Sequence, residues 1–584
     1  MDKLSALRTV MKERNIDAYI IPSGDDHNSE YVADYWKSRI WITGFTGSAG
    51  LAVVTHDEAG LWTDGRYFIQ AAQELAGSGF ALFKQGEIGV PTFQEFLQKE
   101  FPKGGAVAFD GRAMSDVDFK NLLNQLEPFT FTYDEDLIGL IWRDRPLLPT
   151  EPAFVHLPEF AGCSVAEKLE LVRKKMTEIK VDTYLVTALD DIAWLLNIRG
   201  SDTGSTPLVY SYVIITQNDA WLFINREKIV GLEGHLADFS IMPYDAVSTV
   251  LTAVPSSSRI YYNASKTSML LADLIPDGVA IASEIQDIIA YMKSAKTDHE
   301  LTNMRNAYIK EGVVIVKLLK WLDDNITNGE TLTEGDVVDK LDNLRIEQEH
   351  VIGESFSAIS AYGANAALPH YHHSGRGCTI KPEGLFLLDC GGQYLDGTTD
   401  TTRTVAVGEI TPEMRRNFTL VLKGHIALTL AVFPKGTTGQ RLDMITRIPL
   451  LQEYLNYDHG TGHGIGYCLS VHEGPQGVSA VNTVVLAPGM VLSNEPGFYK
   501  EGEYGIRIEN AIAVKETIKN NFGEFLEFET LTCCPYDLRA ADVELLTQTE
   551  KDFINEYHKK VIKVLSPLLA ADEAAWLKNM ATTV

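Results

Sequence analysis

The chain has 584 residues, 45% of them hydrophobic and 22% charged, with a formal net charge of −28 at pH 7. A chain of this length exceeds one hydrophobic core, so we expect several domains in an ordinary globular protein. The strong negative charge argues against electrostatic binding to nucleic acid or to an anionic membrane, and we expect neither partner.

The N-terminus and the cysteines indicate a cytoplasmic location. Residues 1–22 have the pattern of an amphipathic helix followed by a strand, without the apolar segment of a signal peptide. No apolar run reaches the length of about 18 residues that a membrane span needs. The cysteines show no CxxC spacing and are expected to be reduced thiols; they are Cys163, Cys378, Cys390, Cys468, Cys533 and Cys534.

The first half of the chain contains an internal repeat. Residues 7–26 match residues 172–191 at a constant offset, and in both copies a helical pattern leads into a short β-branched run. The pairs at this offset of 165 positions (176 − 11) include Met11 with Met176, Asp17 with Asp182, Tyr19 with Tyr184 and Asp26 with Asp191. A chance likeness between two α/β openings is the alternative, but the constant offset favours duplication.

Turn and capping signals divide the chain into three predicted domains. A proline-rich stretch at Pro146–Pro152 ends the first copy of the repeat. Thr297 and Glu300 then have the spacing of a capping box at the start of a long helix, and a second helix is expected after Thr411, with Pro412 in its first turn. We predict α/β domains over 1–150 and 151–295, and an α+β domain over 296–584 with a C-terminal extension from about 527 to 584.

Four carboxylates and one imidazole in the C-terminal half form the most informative pattern. They are Asp389 and Asp400, 11 positions apart (400 − 389), then His463 in HGTGHGIG, Glu495 in SNEPGFY and Glu509 in GIRIEN. Each stands beside glycines or β-prone residues. Four negative charges offset the charges of two divalent cations, so the pattern predicts a site for a metal pair. Taken singly, each residue has an ordinary structural explanation, as a turn aspartate or a solvated glutamate; their joint appearance favours the metal site.

The local sequence suggests how these side chains converge. Asp389 ends a buried-strand pattern and Asp400 begins another strand, so a hairpin would bring both carboxylates to one place. The glycines around His463 allow the backbone to pass close to an ion. Glu509 is expected inside a strand that places it on one face and Arg507 on the other. Alternatively, Arg507 orients a ligating carboxylate.

The donor set is dominated by carboxylates, which are hard ligands. Such a set favours Mn²⁺, Mg²⁺ or Co²⁺ over a structural zinc, which takes Cys and His. Two ions about 3.5–4 Å apart can hold a hydroxide and polarise a carbonyl, as in many hydrolases. From the ligands alone, we predict metal-assisted hydrolysis of an amide.

The strings around these residues resemble a known family. DCGGQYLDGTTDTTRT, HGTGHGIG, VHEGP, NEPGFY and GIRIEN are similar to the pita-bread metallopeptidases, and within them to the long, three-domain cytosolic Xaa-Pro aminopeptidases, also called aminopeptidase P. TGFTGSAGLAVVT, WTDGRYFIQA and the C-terminal tail also match, so the resemblance covers nearly the whole chain. It implies two duplicated, creatinase-like α/β domains followed by a pita-bread catalytic domain.

The resemblance also implies ligands and substrate contacts. Two Mn²⁺ ions per chain, with Co²⁺ or Zn²⁺ as alternatives, would be bound by Asp389, Asp400, His463, Glu495 and Glu509, of which Asp400 and Glu509 would bridge. Substrate contacts would come from His370 in ALPHYHH, His459, His472 in VHEGP and Arg66 in DGRYF, the arginine from the partner subunit of a homodimer. The alternatives are a surface histidine cluster of His370 with His372 and His373, and a structural ion pair for Arg66.

The implied reaction releases the N-terminal residue from peptides with proline in the second position. A water activated between the metals would lose a proton to Glu495 and attack the first peptide carbonyl, and His370 or His472 would stabilise the oxyanion. The bond to proline is a tertiary amide without an N–H, on which general aminopeptidases stall. The preference for proline comes from the resemblance, not from the ligands.

Other functions stay open. A prolidase-type Xaa-Pro dipeptidase and a methionine aminopeptidase have the same fold. Prolidases usually have one N-terminal domain, and methionine aminopeptidases generally lack two such N-terminal domains, so the duplication disfavours both. A metal-free binding module would have lost the ligands, all of which are present here. A creatine-type amidine hydrolase uses no metal and does not keep these carboxylates.

Overall fold

The computed structural model describes residues 2–255, 257–276, 280–283, 287–372 and 375–584. They form two compact units, Met1–Tyr291 and Met292–Val584, and each unit has sheets and helices of its own. All six cysteines carry free thiols, as predicted. Among the helices in the described ranges, none combines the length and the apolar character that crossing a membrane requires.

The first unit contains two six-stranded sheets with the same topology. Its strands, β1 to β14 in chain order, are Ala18–Ile21, Leu51–Thr55, Ala59–Thr63, Ala81–Lys84, Ala106–Phe109, Thr130–Thr132, Phe154–Val155, Thr183–Val186, Ile198–Arg199, Ser211–Thr216, Ala220–Ile224, Ser240–Met242, Ile260–Asn263 and Ala280–Ser283. The sheet orders are β4-β3-β2-β1-β5-β6 and β12-β11-β10-β8-β13-β14. Both sheets have antiparallel pairs on one side of the central strand, parallel pairs on its other side and a parallel strand at each edge.

This shared topology confirms the predicted duplication, and side chains at paired positions agree with it. Asp17 accepts a hydrogen bond from the backbone N–H of Ala106 at 2.8 Å, and Asp182 accepts one from Arg259 at 2.9 Å, at the same point of each sheet. The paired residues Met11 and Met176 are fully buried, and so are the paired residues Tyr19 and Tyr184.

Helices cover both faces of the first sheet, as an α/β fold requires. The helices α1 to α12 are Lys3–Glu13, Ser38–Thr43, Phe68–Glu74, Phe93–Glu100, Asp116–Gln125, Leu137–Ile141, Pro158–Ala161, Val165–Glu178, Leu189–Leu196, Ala246–Thr252, Met269–Ala272 and Ile288–Ser294. Leu7 of α1 packs with Tyr19 on one face of the sheet, and Leu97 of α4 packs with Ile20 on the other. Alternate residues of β1 therefore belong to different cores.

The second unit is α+β. Its strands, β15 to β30, are Leu332–Thr333, Val351–Glu354, Ile359–Tyr362, Thr379–Ile380, Leu385–Cys390, Gly392–Tyr394, Gly397–Thr398, Thr401–Ala406, Phe433–Pro434, Gly462–Gly464, Glu473–Val478, Val491–Asn494, Gly497–Lys500, Tyr504–Arg507, Asn510–Asn520 and Gly523–Thr530. Its helices, α13 to α18, are Asp298–Thr327, Glu334–Ile346, Pro412–Thr429, Gly439–Leu451, Gln548–Leu565 and Ala571–Met580. Two of its sheets have the orders β17-β19-β22 and β23-β30-β29-β26-β24-β25.

The predicted helix starts are confirmed. Thr297 caps α13 by accepting from the N–H of Glu300, whose carboxylate accepts from the N–H of Thr297. Thr411 caps α15, and Pro412 is the first residue of that helix. These contacts satisfy N–H groups that the first helical turn would otherwise leave unpaired.

Long helices back the three-stranded sheet β17-β19-β22 and the six-stranded sheet of this unit. Side chains of α13 and α14 pack on β19 and β22, and side chains of α15 and α16 pack on β26, β29 and β30. Helix α17, in the C-terminal region, packs on a third cluster together with α15 and β28. The strands that carry the predicted ligands are thus held against helices.

Candidate metal site

Two paired strands carry the first two carboxylates. Strands β19 and β22 are antiparallel, with Asp389 opposite Thr402, and β20 and β21 lie in the connection between them. The predicted hairpin is therefore confirmed. Asp400 directly precedes β22, and its backbone N–H donates to the hydroxyl of Tyr308 at 3.2 Å.

His463 and Glu495 come from neighbouring strands of the six-stranded sheet. His463 lies in β24, which pairs with β26, and Glu495 directly follows β26. The Nε2 atom of His463 lies 3.4 Å from a carboxylate oxygen of Asp400 and 3.4 Å from one of Glu495. Ser493 donates its hydroxyl to Glu495 at 3.0 Å and accepts the N–H of His463 at 2.9 Å. The imidazole thus lies between two of the acidic groups.

The predicted environment of Glu509 was wrong. The chain does not continue as one strand: β28 ends at Arg507 and pairs with β27, and β29 begins at Asn510 and pairs with β26. Between them, the N–H of Glu509 donates to the carbonyl of Thr402 at 3.1 Å. Arg507 and Glu509 do not face opposite ways, because both contact the Thr402 hydroxyl, at 3.3 and 2.7 Å. Residues two apart in a strand share a face, so the expected opposition was also wrong in periodicity.

Arg507 orients one of the carboxylates. Its Nη2 donates to Asp389 at 2.6 Å and its Nη1 donates to the hydroxyl of Tyr499 at 2.8 Å. The arginine is buried, so this pair is little screened by water. This geometry agrees with the predicted alternative in which Arg507 fixes a ligating carboxylate.

The carboxylates repel one another inside the protein. Burial raises the pKa of Asp400 well above its ordinary value, and the charges of Asp389 and Glu495 add to the shift. Burial and the charge of Asp400 raise the pKa of Glu509 likewise. One oxygen each of Asp389 and Glu509 is buried without a hydrogen-bond partner among the described residues. Buried anions need compensating cations, so this donor set fits divalent metal ions.

Ligand atoms of three of these residues are close enough to share an ion. Atoms of Asp400, His463 and Glu509 lie within 4.8 Å of one another. Asp389 and Glu495 are near enough for their charges to act on Asp400 and Glu509. The structure thus brings the five predicted metal ligands close to one another.

Two of the predicted histidines lie beside this cluster. The ring centroids of His472 and His463 are 4.4 Å apart, and the rings meet edge to face. The Nε2 of His459 is 2.8 Å from the Tyr499 hydroxyl and its Nδ1 is 2.8 Å from the carbonyl of Gly460. Burial lowers the pKa of His459, against the raising effect of the Glu495 charge. Both ring nitrogens of His459 are therefore engaged within the protein.

The other two predicted substrate residues are His370 and Arg66. His370 is half-buried in the segment after a short 3-10 helix, Gly363–Ala367; His372 is exposed and His373 lies outside the described residues. Arg66 belongs to the first unit, where its guanidinium bonds to Asp64 at 2.8 Å. This ion pair is the structural alternative named for Arg66, and the substrate role stays a prediction.

Sequence reasoning assigned no role to several polar side chains of the site. They are the hydroxyl groups of Tyr308, Thr402, Ser493 and Tyr499, which bond to the residues described above. Thr402, Ser493 and Tyr499 were inside the quoted motifs, so a hydroxyl side chain in the same motif as a ligating carboxylate was the available signal. Tyr308 comes from the middle of α13, and nothing local to it indicates this contact.

Comparison with known sequences places the chain in a family. The Creatinase/Prolidase N-terminal domain matches residues 3–143 and, in a second version, 144–300; Metallopeptidase family M24 matches 302–516, and the C-terminal region of peptidase_M24 matches 524–584. A curated relative, the probable Xaa-Pro aminopeptidase P of Fusarium vanettenii, is 42% identical over 99% of this chain and 98% of its own. The chain belongs to metallopeptidase family M24.

Solved structures agree with this assignment. The crystal structure of an X-prolyl aminopeptidase from Caenorhabditis elegans, described as a cytosolic enzyme with a di-nuclear active site, has a TM-score of 0.95 at 36% identity, covering 100% of this chain and 99% of that one. The prolidase from Pyrococcus horikoshii has a TM-score of 0.51 at 25% identity and covers 64% of this chain and 99% of that one. The predicted fold, creatinase-like N-terminal domains followed by a pita-bread domain, is confirmed.

Proposed function

We propose that this protein is an Xaa-Pro aminopeptidase, which releases the N-terminal residue from peptides with proline in the second position. The observation that carries the proposal is the convergence of four carboxylates and His463, from separate strands, in a chain similar over its whole length to Xaa-Pro aminopeptidases P. A buried cluster of this charge has little structural use without cations.

Two divalent ions per chain would be held by Asp389, Asp400, His463, Glu495 and Glu509. We propose Mn²⁺, with Co²⁺ or Zn²⁺ as alternatives, and Asp400 and Glu509 would each help to hold the pair. When bound, such a pair polarises the peptide carbonyl and lowers the pKa of water. The orphaned oxygens of Asp389 and Glu509 support this ligand set, because a buried carboxylate oxygen is costly to leave unpaired.

Glu495 is the proposed general base. Its side chain is 17% exposed, compared with 5% for Asp400 and 11% for Asp389. A base that exchanges protons with the attacking water and then with the leaving amine needs this access. The Ser493 hydroxyl holds one of its oxygens, which leaves the carboxylate oriented while it accepts the proton.

Histidines would contact the substrate and the developing oxyanion. His472 lies against the ring of His463, so a donated N–H from it reaches the same part of the site. We propose His370 as the second such donor. His459, whose nitrogens bond to Tyr499 and Gly460, would meet the substrate with its ring edge. Arg66 is proposed as a substrate contact that a partner subunit supplies.

A homodimer in the cytoplasm is proposed with these roles. Exposed apolar side chains on α16 and in the turn after it support a second copy as the partner. They are Met444, Ile448 and Leu451, at three- and four-residue spacing in the helix, and Tyr454 beyond its end. Light scattering on the purified protein measures the mass directly. The cytosolic description of the Caenorhabditis elegans enzyme supports the location. We also propose domain boundaries near residues 150 and 295, which separate the two equivalent sheets from each other and from the α+β unit.

The second candidate function is that of a prolidase-type Xaa-Pro dipeptidase. The prolidase from Pyrococcus horikoshii covers only 64% of this chain, whereas the aminopeptidase from Caenorhabditis elegans covers all of it. The additional N-terminal repeat therefore favours the aminopeptidase.

Three peptides separate these functions. Metal-stripped protein would be incubated with Arg-Pro-Pro, with Arg-Pro and with Arg-Ala-Pro, each with and without Mn²⁺, and released arginine would be measured. We expect Mn²⁺-dependent release from Arg-Pro-Pro and little from the alanine peptide. Cleavage of Arg-Pro alone would instead indicate a prolidase, and absence of both Mn²⁺ binding and cleavage would indicate a metal-free binding module.

A further inference from the structure

Two neighbouring asparagines connect the backbones of two candidate ligands. Asn494 and Asn510 are directly opposite each other in the pair β26·β29. Glu495 follows the first, and Glu509 precedes the second. Because backbone positions next to a carboxylate determine where it points, whatever fixes this asparagine pair also fixes the separation of the two glutamates.

A chain of side-chain hydrogen bonds runs behind this pair. Arg403 donates to Asn510 Oδ1 at 2.8 Å, and Asn510 Nδ2 donates to the Tyr536 hydroxyl at 2.8 Å. That hydroxyl is 2.9 Å from His425 Nε2, and His425 Nδ1 is 3.0 Å from the carbonyl of Asn494. The bonded chain therefore starts beside Glu509 and returns to the backbone beside Glu495.

The donor and the acceptor of each hydrogen bond in this series can be assigned. Arg403 can only donate, so the carbonyl oxygen of Asn510 faces it and the amide N–H of Asn510 faces Tyr536. The Tyr536 hydroxyl then accepts from Asn510 and donates to His425. His425 Nε2 is consequently an acceptor, and its Nδ1–H donates to the Asn494 carbonyl. Burial, with the charge of Arg403, lowers the pKa of His425 to about 3, which agrees with a neutral ring.

The C-terminal region supplies the centre of this arrangement. Tyr536 lies beyond β30, in the region that packs through α17. The Arg403 guanidinium donates to the carbonyls of Glu509 at 2.5 Å, Cys534 at 2.7 Å and Pro535 at 2.9 Å. It thereby joins the backbone at Glu509 to the segment that carries Tyr536. Tyr536, His425 and both asparagines are fully buried, so water does not replace a lost partner.

We infer that Tyr536 is a positioning residue for the metal site: through His425 and Asn510 its hydroxyl sets the separation of Glu495 and Glu509. The inference rests on the proposed function, because it assigns Tyr536 to the ligands of the proposed metal pair. It also gives the C-terminal region a part in metal binding although none of its residues is a proposed ligand. Partners that orient ligands without touching the metal typically change metal affinity about 10–100-fold when removed.

The test uses Tyr536→Phe with Tyr504→Phe as the matched control. Both tyrosines are 1% exposed, and both hydroxyls accept a 2.8 Å hydrogen bond from an asparagine amide. In Tyr536→Phe the amide of Asn510, already 3.2 Å from His425 Nε2, can donate there directly, so the variant retains a partner and should fold. We expect its Mn²⁺ affinity, measured by calorimetry on stripped protein, to fall about tenfold or more.

The control should bind Mn²⁺ within about threefold of the wild type, while both variants lose similar thermal stability without metal. In the peptide assay, kcat of Tyr536→Phe should fall and KM should change little. Unchanged Mn²⁺ affinity in Tyr536→Phe, or an equal loss in Tyr504→Phe, would overturn the inference. A wild type that binds no Mn²⁺ would overturn the proposed function instead, so the two failures are distinct.

A second pair of variants tests the same bonds at His425. Glutamine can donate to the Asn494 carbonyl and accept from Tyr536, as His425 does, whereas leucine can do neither. We expect His425→Gln to keep Mn²⁺ affinity within about threefold and His425→Leu to lose about tenfold. Equal affinities in the two variants would show that the hydrogen bonds do not position the site, whatever the behaviour of Tyr536→Phe.

Discussion

Two buried acidic sites, one in each unit, are neutralised differently. In the first unit Asp202 is matched by one cation: both its oxygens lie 2.6 Å from Lys228 Nζ, and both side chains are almost fully buried. In the second unit Asp400 faces three further carboxylates, and the guanidinium that bonds to this cluster belongs to Arg507. The comparison teaches that a matched ion pair can serve structure alone, whereas an acidic excess requires cations from outside the chain.

The largest expected effect tests the acidic excess. Asp400→Asn removes a charge that its neighbours repel and that a metal pair would need. We expect peptide cleavage to fall at least about a thousandfold, since several kcal/mol of transition-state stabilisation are lost, and Mn²⁺ content to fall with it. The metal-free variant should be at least as stable as the metal-free wild type. Wild-type turnover in this variant would refute the ligand assignment.

The corresponding substitution in the Asp202–Lys228 pair should lower stability and leave Mn²⁺ binding unchanged. Asp202→Asn leaves Lys228 buried without its counter-charge, and we expect the free energy of unfolding to fall by about 3–5 kcal/mol. Asp202 belongs to the first unit and is paired with Lys228, not with the acidic cluster. The Mn²⁺ affinity of the folded variant should therefore stay unchanged. Denaturant unfolding and calorimetry measure the two quantities, and a loss of affinity without a loss of stability would contradict this comparison.

A third substitution tests how the acidic cluster is oriented. Arg507→Lys keeps the charge but cannot reach both Asp389 and Tyr499 with a planar group. We expect kcat/KM to fall about 10–100-fold and Mn²⁺ affinity to weaken. The control is Arg112→Lys in the first unit, where Arg112 makes a two-point contact with Asp110; its kcat/KM should change less than about twofold. Equal losses would mean that Arg507 does not act on the site.

The last prediction concerns pH. The pKa of His425 is about 3 in the fold and about 6.5 in an unfolded chain. The unfolded state therefore binds the extra proton, so the stability that neutral His425 contributes is present above pH 6.5 and declines as pH falls towards 3, by about 1.4 kcal/mol per pH unit. His425→Gln does not titrate, so its unfolding free energy, from denaturant titrations between pH 7 and 4.5, should depend less on pH. Parallel pH dependences would contradict the buried, neutral ring.

Much of the fold could be predicted because its signals are local or repeated. The capping box of Thr297 and Glu300 and the offset between Tyr19 and Tyr184 are visible in the residues themselves. The environment of Glu509 could not be predicted in this way. Alternation along IRIEN describes a single strand, and it does not reveal that the chain leaves the partner β27 and takes up β26 around Glu509.

The sequence by itself determined the donor chemistry, because residue type fixes which groups can carry charge, and motif order was enough to indicate the family. Only the tertiary structure decided which oxygens remain unpaired, which carboxylate Arg507 holds, and that Tyr536 stands behind Glu495 and Glu509. The physical reason is range: side-chain type and periodicity act over a few neighbouring residues, whereas burial and hydrogen-bond direction depend on atoms that folding brings together from distant parts of the chain.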